Sequence, residues 1–194
     1  MRTFLAVDLP PTIENRLVQL TSDLKEGFPP QSVRWVDPHV MHVTLKFLGE
    51  IKPARLGDIA QSLAPVAAEY PELALRVGGF GVFPNASRPR VLWLGVNDGH
   101  GLLAALHSGV ERALEQLGFK PEGRRFTPHL TLGRTRDGDR DAVAEQVSGL
   151  AHSASFDDIG GFTVDQLTLY KSTLGPSGAV HEIIDTFPLG AAEP

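Results

Sequence analysis

His42-Val43-Thr44-Leu45 and His129-Leu130-Thr131-Leu132 are one short phrase written twice: His-x-Thr-x, with aliphatic residues in the second and fourth places. In an extended strand alternate side chains point to opposite faces. Each copy therefore sets a His and a Thr on one face and two aliphatic residues on the other, suited to a core. Two such strands facing each other would surround one cleft with two imidazoles and two hydroxyls. Histidines near neutral pH can divide acid and base duties. Composition alone produces such a pair about one time in a hundred, so coincidence has to be weighed. Taken singly, each copy reads equally well as a half-buried strand with two polar residues outward.

Composition narrows the field without identifying the site. A chain of 194 residues, 42% hydrophobic and 21% charged, suits one large globular domain or two small lobes. It has no apolar run long enough for a membrane span. Phe4-Leu5-Ala6-Val7 is too short for a signal-peptide core. The absence of cysteine removes disulfides, thiol nucleophiles and thiolate metal sites. A cytoplasmic protein is the expectation. The net charge of −5 argues against sequence-independent coating of nucleic acid, which needs a basic field. Local positive charge remains, with Arg124, Arg125, Arg134 and Arg136 around the second phrase and Arg34 and Lys46 near the first. That distribution suits a small anionic group better than a long nucleic-acid track.

The two phrases sit at matching places in two similar β/α series. The first half reads as a strand at 3–8, then a helix with Ile13, Leu17, Leu20 and Leu24 at helical spacing, ending near Gly27. Strands at 33–36 and 41–48, a helix at 54–69 and strands at 73–77 and 81–83 come next. Gly78-Gly79 between the last two suggests a bulge or bend. The second half reads as strand 90–96, helix 101–117, strand 127–133, a helix at about 140–150, and strands near 154–158, 162–170 and 180–187. The phrases are offset by 87 residues, which also carries Phe4 onto Val91 and Ala54 onto Asp141. This is the order of a duplicated β-α-β-α-β unit. One bilobal α+β domain over 1–194 is expected, built from units at about 1–86 and 87–194, with room for strands to be exchanged between lobes. Gly78–Pro89 reads as an inter-lobe connection or mobile loop, and Arg134–Arg140 as a polar loop.

The match to a known family extends beyond the two phrases. Phe4-Leu-Ala-Val-Asp-Leu-Pro10, Arg34-Trp35, His42 through Glu50, Val91-Leu-Trp-Leu-Gly95, Phe126 through Arg134, Leu169-Tyr-Lys-Ser172 and Phe187-Pro-Leu189 occur in that order. Together they resemble the blocks of the 2H phosphoesterases, specifically the bacterial 2′-5′ RNA ligase / RNA 2′,3′-cyclic phosphodiesterase branch. The resemblance implies an α+β bilobal fold, with two antiparallel sheets flanked by helices around a central cleft lined by the two His-x-Thr strands. It implies hydrolysis of a 2′,3′-cyclic phosphate at an RNA 3′ end to a 2′-phosphomonoester, with no metal and no cofactor. Some members also join RNA ends through a 2′-5′ linkage. RNA 3′ ends or nucleotides bearing a 2′,3′-cyclic phosphate are the expected partners, and a monomer is expected. One departure stands out: the family commonly has a Tyr where this chain has His181, here read as a residue of the strand surface.

Opening a cyclic phosphodiester takes a proton from the attacking water and gives one to the departing ribose oxygen, roughly in line. His42 is read as the general acid and His129 as the general base, although the residues alone do not order the two. Thr44 and Thr131 can donate hydroxyl hydrogen bonds to nonbridging phosphate oxygens. Arg134 closes the family's His-x-Thr-x-x-Arg pattern and suits bidentate phosphate binding. Its strand parity is opposite to that of His129, so it must act from the strand's end or lie outside the cleft. Lys46 has the parity of His42 and is a candidate contact, as are Arg125 and, as a base-stacking ring, Trp35. Phe47 has core parity. His39 precedes His42 by three residues without a carboxylate at ligand spacing, and His100, His107 and His152 read as surface or helix-end residues. Two other readings stay open: a 2H enzyme for small cyclic or 2′-5′-linked nucleotides, and a noncatalytic binder of phosphorylated RNA ends.

Overall fold

The strand β1 (Arg2–Asp8) buries Phe4, Leu5, Ala6 and Val7 in succession, because Leu5 and Val7 enter the hydrophobic core while rings from the neighbouring strands cover Phe4 on the other face. Pro11 opens the helix α1 (Pro11–Gly27) at a position where a missing N–H costs no hydrogen bond. The structure is a computed structural model and describes residues 1–150, 153–175 and 178–190. Among them are two antiparallel sheets. Sheet A runs β3 (His42–Glu50), β1, β8 (Gln166–Gly175), β9 (Gly178–Pro188). Sheet B runs β2 (Val33–Trp35), β6 (His129–Thr135), β5 (Val91–Asn97), β4 (Leu73–Phe83), β7 (Gly160–Val164). Each sheet draws strands from both halves of the chain, so neither half closes a sheet alone.

Helices cover the outer faces. α2 (Leu56–Ala68) and α3 (Leu102–Gln116) pack on each other, against β9 and β3 respectively. α1 packs against β7, and α4 (Arg140–Leu150) buries Val143 and Val147. The buried Leu, Ile and Val side chains of helices and strands form one continuous cluster. Full burial of each is worth on the order of 2 kcal/mol. At the centre of the molecule β3 and β6 come within 8 Å of each other, Cα to Cα. The two His-x-Thr strands thus meet where the sheets meet.

The duplicated α+β fold expected from the sequence is present, with three local differences. The segment expected as a strand at 154–158 is a short 3-10 turn at Ala154–Phe156. The strand expected over 162–170 breaks at Asp165 into β7 and β8, which belong to different sheets. The apolar phase shifts at the break, from Phe162 and Val164 to Leu167 and Leu169, and the crossing between sheets shows in the pairing partners. Conversely 73–77 and 81–83 are one strand, β4. Val77 opposes Val96 and Phe80 opposes Leu94, leaving Gly78-Gly79 as the expected bulge. A side chain at Gly78 would run into the Asp157 carbonyl oxygen.

Candidate active site

The placement of side chains on β3 and β6 departs from simple alternation, and by the same device in both. On β3, Thr44 opposes Ala6 and Lys46 opposes Leu5, leaving Leu45 without a partner. On β6, Thr131 opposes Trp93 and Gly133 opposes Leu92, leaving Leu132 without a partner. Each is a β-bulge, which adds one residue and reverses the parity of the residues after it. Lys46 therefore turns to the core beside Leu5 and is 3% exposed. Phe47, opposite Phe4, returns to the face of His42 and Thr44 and is 53% exposed. A second slip on β3 lies between the pairs Thr3–Gly49 and Phe4–Phe47. On β6 the bulge brings Arg134 back to the face of His129 and Thr131. Arg134 thus joins the cleft face along the strand, not from its end, and Lys46 and Phe47 exchange the faces expected for them.

The two imidazoles are held in the same way. His42 Nδ1 lies 3.0 Å from the Val40 carbonyl oxygen, and His129 Nδ1 lies 2.7 Å from that of Thr127. Each partner is two residues earlier in the chain, as the duplication requires. A carbonyl oxygen only accepts, so both Nδ1 atoms carry hydrogen and both neutral rings have a lone pair on Nε2. Fixing the tautomer through a backbone carbonyl leaves Nε2 of each ring to gain or lose a proton.

Their surroundings differ. The His42 ring stacks on Phe4 at 4.6 Å and meets His181 edge-on at 5.3 Å. Burial lowers its pKa to about 4, against the raising effect of the Val40 carbonyl; His181 lowers it further and Asp8 raises it. Asp8 is opposite His42 across the β1–β3 ladder. Its carboxylate accepts hydrogen bonds from Tyr170 Oη (2.6 Å) and Thr168 Oγ1 (2.5 Å). Burial and this carboxylate raise the Tyr170 pKa, so Tyr170 stays a hydrogen-bond donor. A concavity of about 190 Å³ beside these groups is lined by Asp8, Glu14, His39, His42, Tyr170 and His181. His129 meets Phe83 edge-on at 5.1 Å and has the Trp93 ring 6.0 Å away. Burial lowers its pKa too, against the Thr127 carbonyl, and the Arg134 guanidinium adds to the lowering. One imidazole thus has a carboxylate neighbour and the other a cation.

Other candidates fall elsewhere. Lys46 Nζ donates to Glu111 Oε2 and to the Lys120 carbonyl, both at 2.8 Å, binding β3 to α3 and the loop before β6. Trp35 shares the core-facing parity of Val33 and meets Phe28 edge-on at 5.3 Å. Arg125 is exposed on the loop that leads into β6. His39 pairs with Glu14 of α1 at 3.2 Å. His107, within α3, is a buried residue stacked on Phe126 at 3.9 Å, not a surface residue. His152 lies outside the described residues. Among the described residues no three His, Asp or Glu side chains are grouped as a metal-ligand set. Asp8 and Tyr170 are brought to His42 although the motif reading did not select them, and His181, expected on the strand surface, instead packs edge-on against Phe4 and His42 and lines the concavity. The one sequence signal for Asp8 was an acid ending an otherwise apolar strand.

The LigT like Phosphoesterase family model matches twice, at residues 7–93 and again at 94–181. The RNA 2′,3′-cyclic phosphodiesterase of Methanothermobacter thermautotrophicus is 31% identical over 97% of this chain and 99% of its own length. The protein of the same name from Thermotoga maritima is 32% identical over 95% of this chain and 93% of its own. Among solved structures, TT0787 of Thermus thermophilus superposes with a TM-score of 0.78 and 27% identity, covering 100% of both chains. E. coli LigT complexed with 3′-AMP gives a TM-score of 0.74 at 25% identity, covering 97% of each. With both halves matched in tandem and relatives of this similarity over nearly the full length, the chain belongs to the LigT-like phosphoesterases of the 2H superfamily.

Proposed function

We propose that this chain hydrolyses 2′,3′-cyclic phosphate termini of RNA to 2′-phosphomonoesters, with His42 and His129 as the acid–base pair. The observation that carries this is the matched tethering of the two imidazoles, each through Nδ1 to the carbonyl two residues before it, at equivalent places in two duplicated halves. Relatives over nearly the whole chain carry the name RNA 2′,3′-cyclic phosphodiesterase. His129 Nε2 takes the proton of the attacking water, and His42 Nε2–H delivers one to the 3′ oxygen as its bond to phosphorus breaks. Asp8 beside His42 and Arg134 beside His129 act in the direction of this order, but burial and His181 outweigh Asp8 in the free protein; His42 takes up its proton when the anionic phosphate binds. Thr44 and Thr131 donate to the nonbridging oxygens, one from each wall. Arg134 adds a guanidinium on the His129 side of the anionic substrate. The two units, about 1–86 and 87–194, each supply one imidazole and one hydroxyl.

The test is turnover, in EDTA, of an oligoribonucleotide ending in a 2′,3′-cyclic phosphate and of a 2′,3′-cyclic mononucleotide, with the phosphate located in the product. A 2′-phosphate on the oligonucleotide product is expected. A 3′-phosphate product overturns the assignment of the leaving oxygen. Turnover of the mononucleotide alone assigns the site to small cyclic nucleotides. Binding without turnover makes the protein a binder of RNA ends.

A further inference from the structure

One guanidinium beside the catalytic strand, that of Arg34, is left without a role by the proposed chemistry. Arg34 of β2 stands directly opposite Arg134 of β6, and both are exposed. Val33 and Trp35 on either side of Arg34 turn the other way, onto the core face with Gly133, where an added Cβ would lie 2.6 Å from Val33. Arg34 and Arg134 therefore share the face of His129 and Thr131. Like charges placed directly opposite each other across a ladder repel and lower stability. Neither guanidinium takes part in an ion pair with a carboxylate among the described residues. None of the five strands of sheet B contains an Asp or Glu. The position is rigid, because Arg136 N donates to the Ser32 carbonyl and Val36 N to that of Leu132.

The bulge at Leu132 sets the spacing. It leaves Arg134 one pleat repeat beyond Thr131, about 7 Å along the strand. At the equivalent place on the opposite wall stands Phe47, which offers a ring and no charge. A guanidinium fork on one wall and an exposed ring on the other are the elements that hold a single strand, the first by its backbone and the second by its bases. We propose that Arg34 and Arg134 form a second anion subsite, which binds the phosphodiester next to the terminal cyclic phosphate and makes the enzyme prefer oligoribonucleotide ends to cyclic mononucleotides. This rests on the cyclic-phosphodiesterase reading above and adds to it the second phosphate.

The experiment compares wild type, Arg34→Ala and Arg34→Lys on three substrates. They are 2′,3′-cyclic AMP, a trinucleotide ending in a 2′,3′-cyclic phosphate, and that trinucleotide with a neutral methylphosphonate at the linkage next to the terminal nucleotide. For the charged trinucleotide, Arg34→Ala lowers kcat/KM about tenfold at low salt and flattens its salt dependence by one phosphate contact. Cyclic AMP turnover stays within about twofold of wild type, and Arg34→Lys falls between, since it keeps a point charge without the fork. The methylphosphonate brings wild type down to the Arg34→Ala level and costs Arg34→Ala nothing more. Equal losses on cyclic AMP and the trinucleotide overturn the subsite. So does wild type that uses the methylphosphonate as well as the charged linkage, a comparison that needs no variant. Wild type that turns over none of the three overturns the cyclic-phosphodiesterase reading, and the subsite with it.

Discussion

Leu45 and Leu132 lie 87 residues apart in the chain and are each the extra residue of a β-bulge, one residue after the Thr of a His-x-Thr phrase. The pair decides which side chains reach the cleft. After each bulge the third residue beyond the Thr, Phe47 or Arg134, takes the face of the His and Thr, and the second, Lys46 or Gly133, takes the core. The duplication thus preserves a backbone irregularity as well as a motif. The two copies then diverge at the residue which that irregularity presents.

On the proposed mechanism, replacing either tethered imidazole removes one of two proton transfers. His42→Ala and His129→Ala are each expected to lower kcat by about 10²- to 10⁴-fold, with unchanged far-ultraviolet circular dichroism. Steady-state assays on a cyclic-phosphate trinucleotide in EDTA check this. Either variant keeping more than about a tenth of wild-type rate, one decade being ~1.4 kcal/mol of barrier, would end the two-histidine mechanism.

The lowered pKa of both imidazoles predicts a difference between two pH profiles. The free enzyme holds His42 down at about 4 through burial. A bound anionic phosphate favours the imidazolium and raises it. The limbs of kcat, which report the complex, should lie at higher pH than those of kcat/KM, which report the free enzyme. Superimposable profiles would show that the substrate phosphate does not reach His42.

Stability should also track His42. Between about pH 4 and 6.5 the unfolded chain binds a proton at this residue that the folded chain excludes. Stability therefore falls as pH is lowered through that window. His42→Asn removes this contribution and flattens the fall by roughly 3 kcal/mol. Urea unfolding of both proteins at pH 4, 5, 6 and 7 measures it.

Lys46 and Arg134, both basic candidates beside a motif, should separate cleanly. Lys46→Ala leaves Glu111 buried without its cation, at a cost of about 3 kcal/mol of unfolding free energy. The kcat of the folded protein should stay near wild type. Arg134→Ala should do the reverse, losing kcat/KM with little change in urea midpoint, because the residue is exposed and has no carboxylate partner among the described residues.

Gly81 holds a further support of the His129 side. An added Cβ there would collide with the Trp93 ring, which sits 6.0 Å from the His129 ring. Gly81→Ala should displace the indole, cost about 1–3 kcal/mol of overpacking and lower kcat. Tryptophan fluorescence and kcat, read together, test the coupling.

Local sequence was enough to specify the pair of strands, their duplication and the four polar residues that face inward from them. Period-two alternation and a repeated phrase are local properties, and His42 and Thr44, like His129 and Thr131, precede the bulge of their own strand. The helices that cover the sheets were legible in the same way, through apolar spacing such as Ile13, Leu17 and Leu24. The residues beyond the bulges were placed by strand pairing alone. A bulge is a mismatch between two strands, so nothing in His42–Glu50 alone reveals it. Parity carried past Leu45 puts Lys46 in the cleft, whereas the register puts it against Leu5, with Glu111 as its counter-ion. The same holds for Asp8, Tyr170 and His181. They are remote in the chain and meet at His42 because β3, β1, β8 and β9 are neighbours in one sheet. Long-range hydrogen bonding between strands, which no local pattern encodes, assembles the second half of the site.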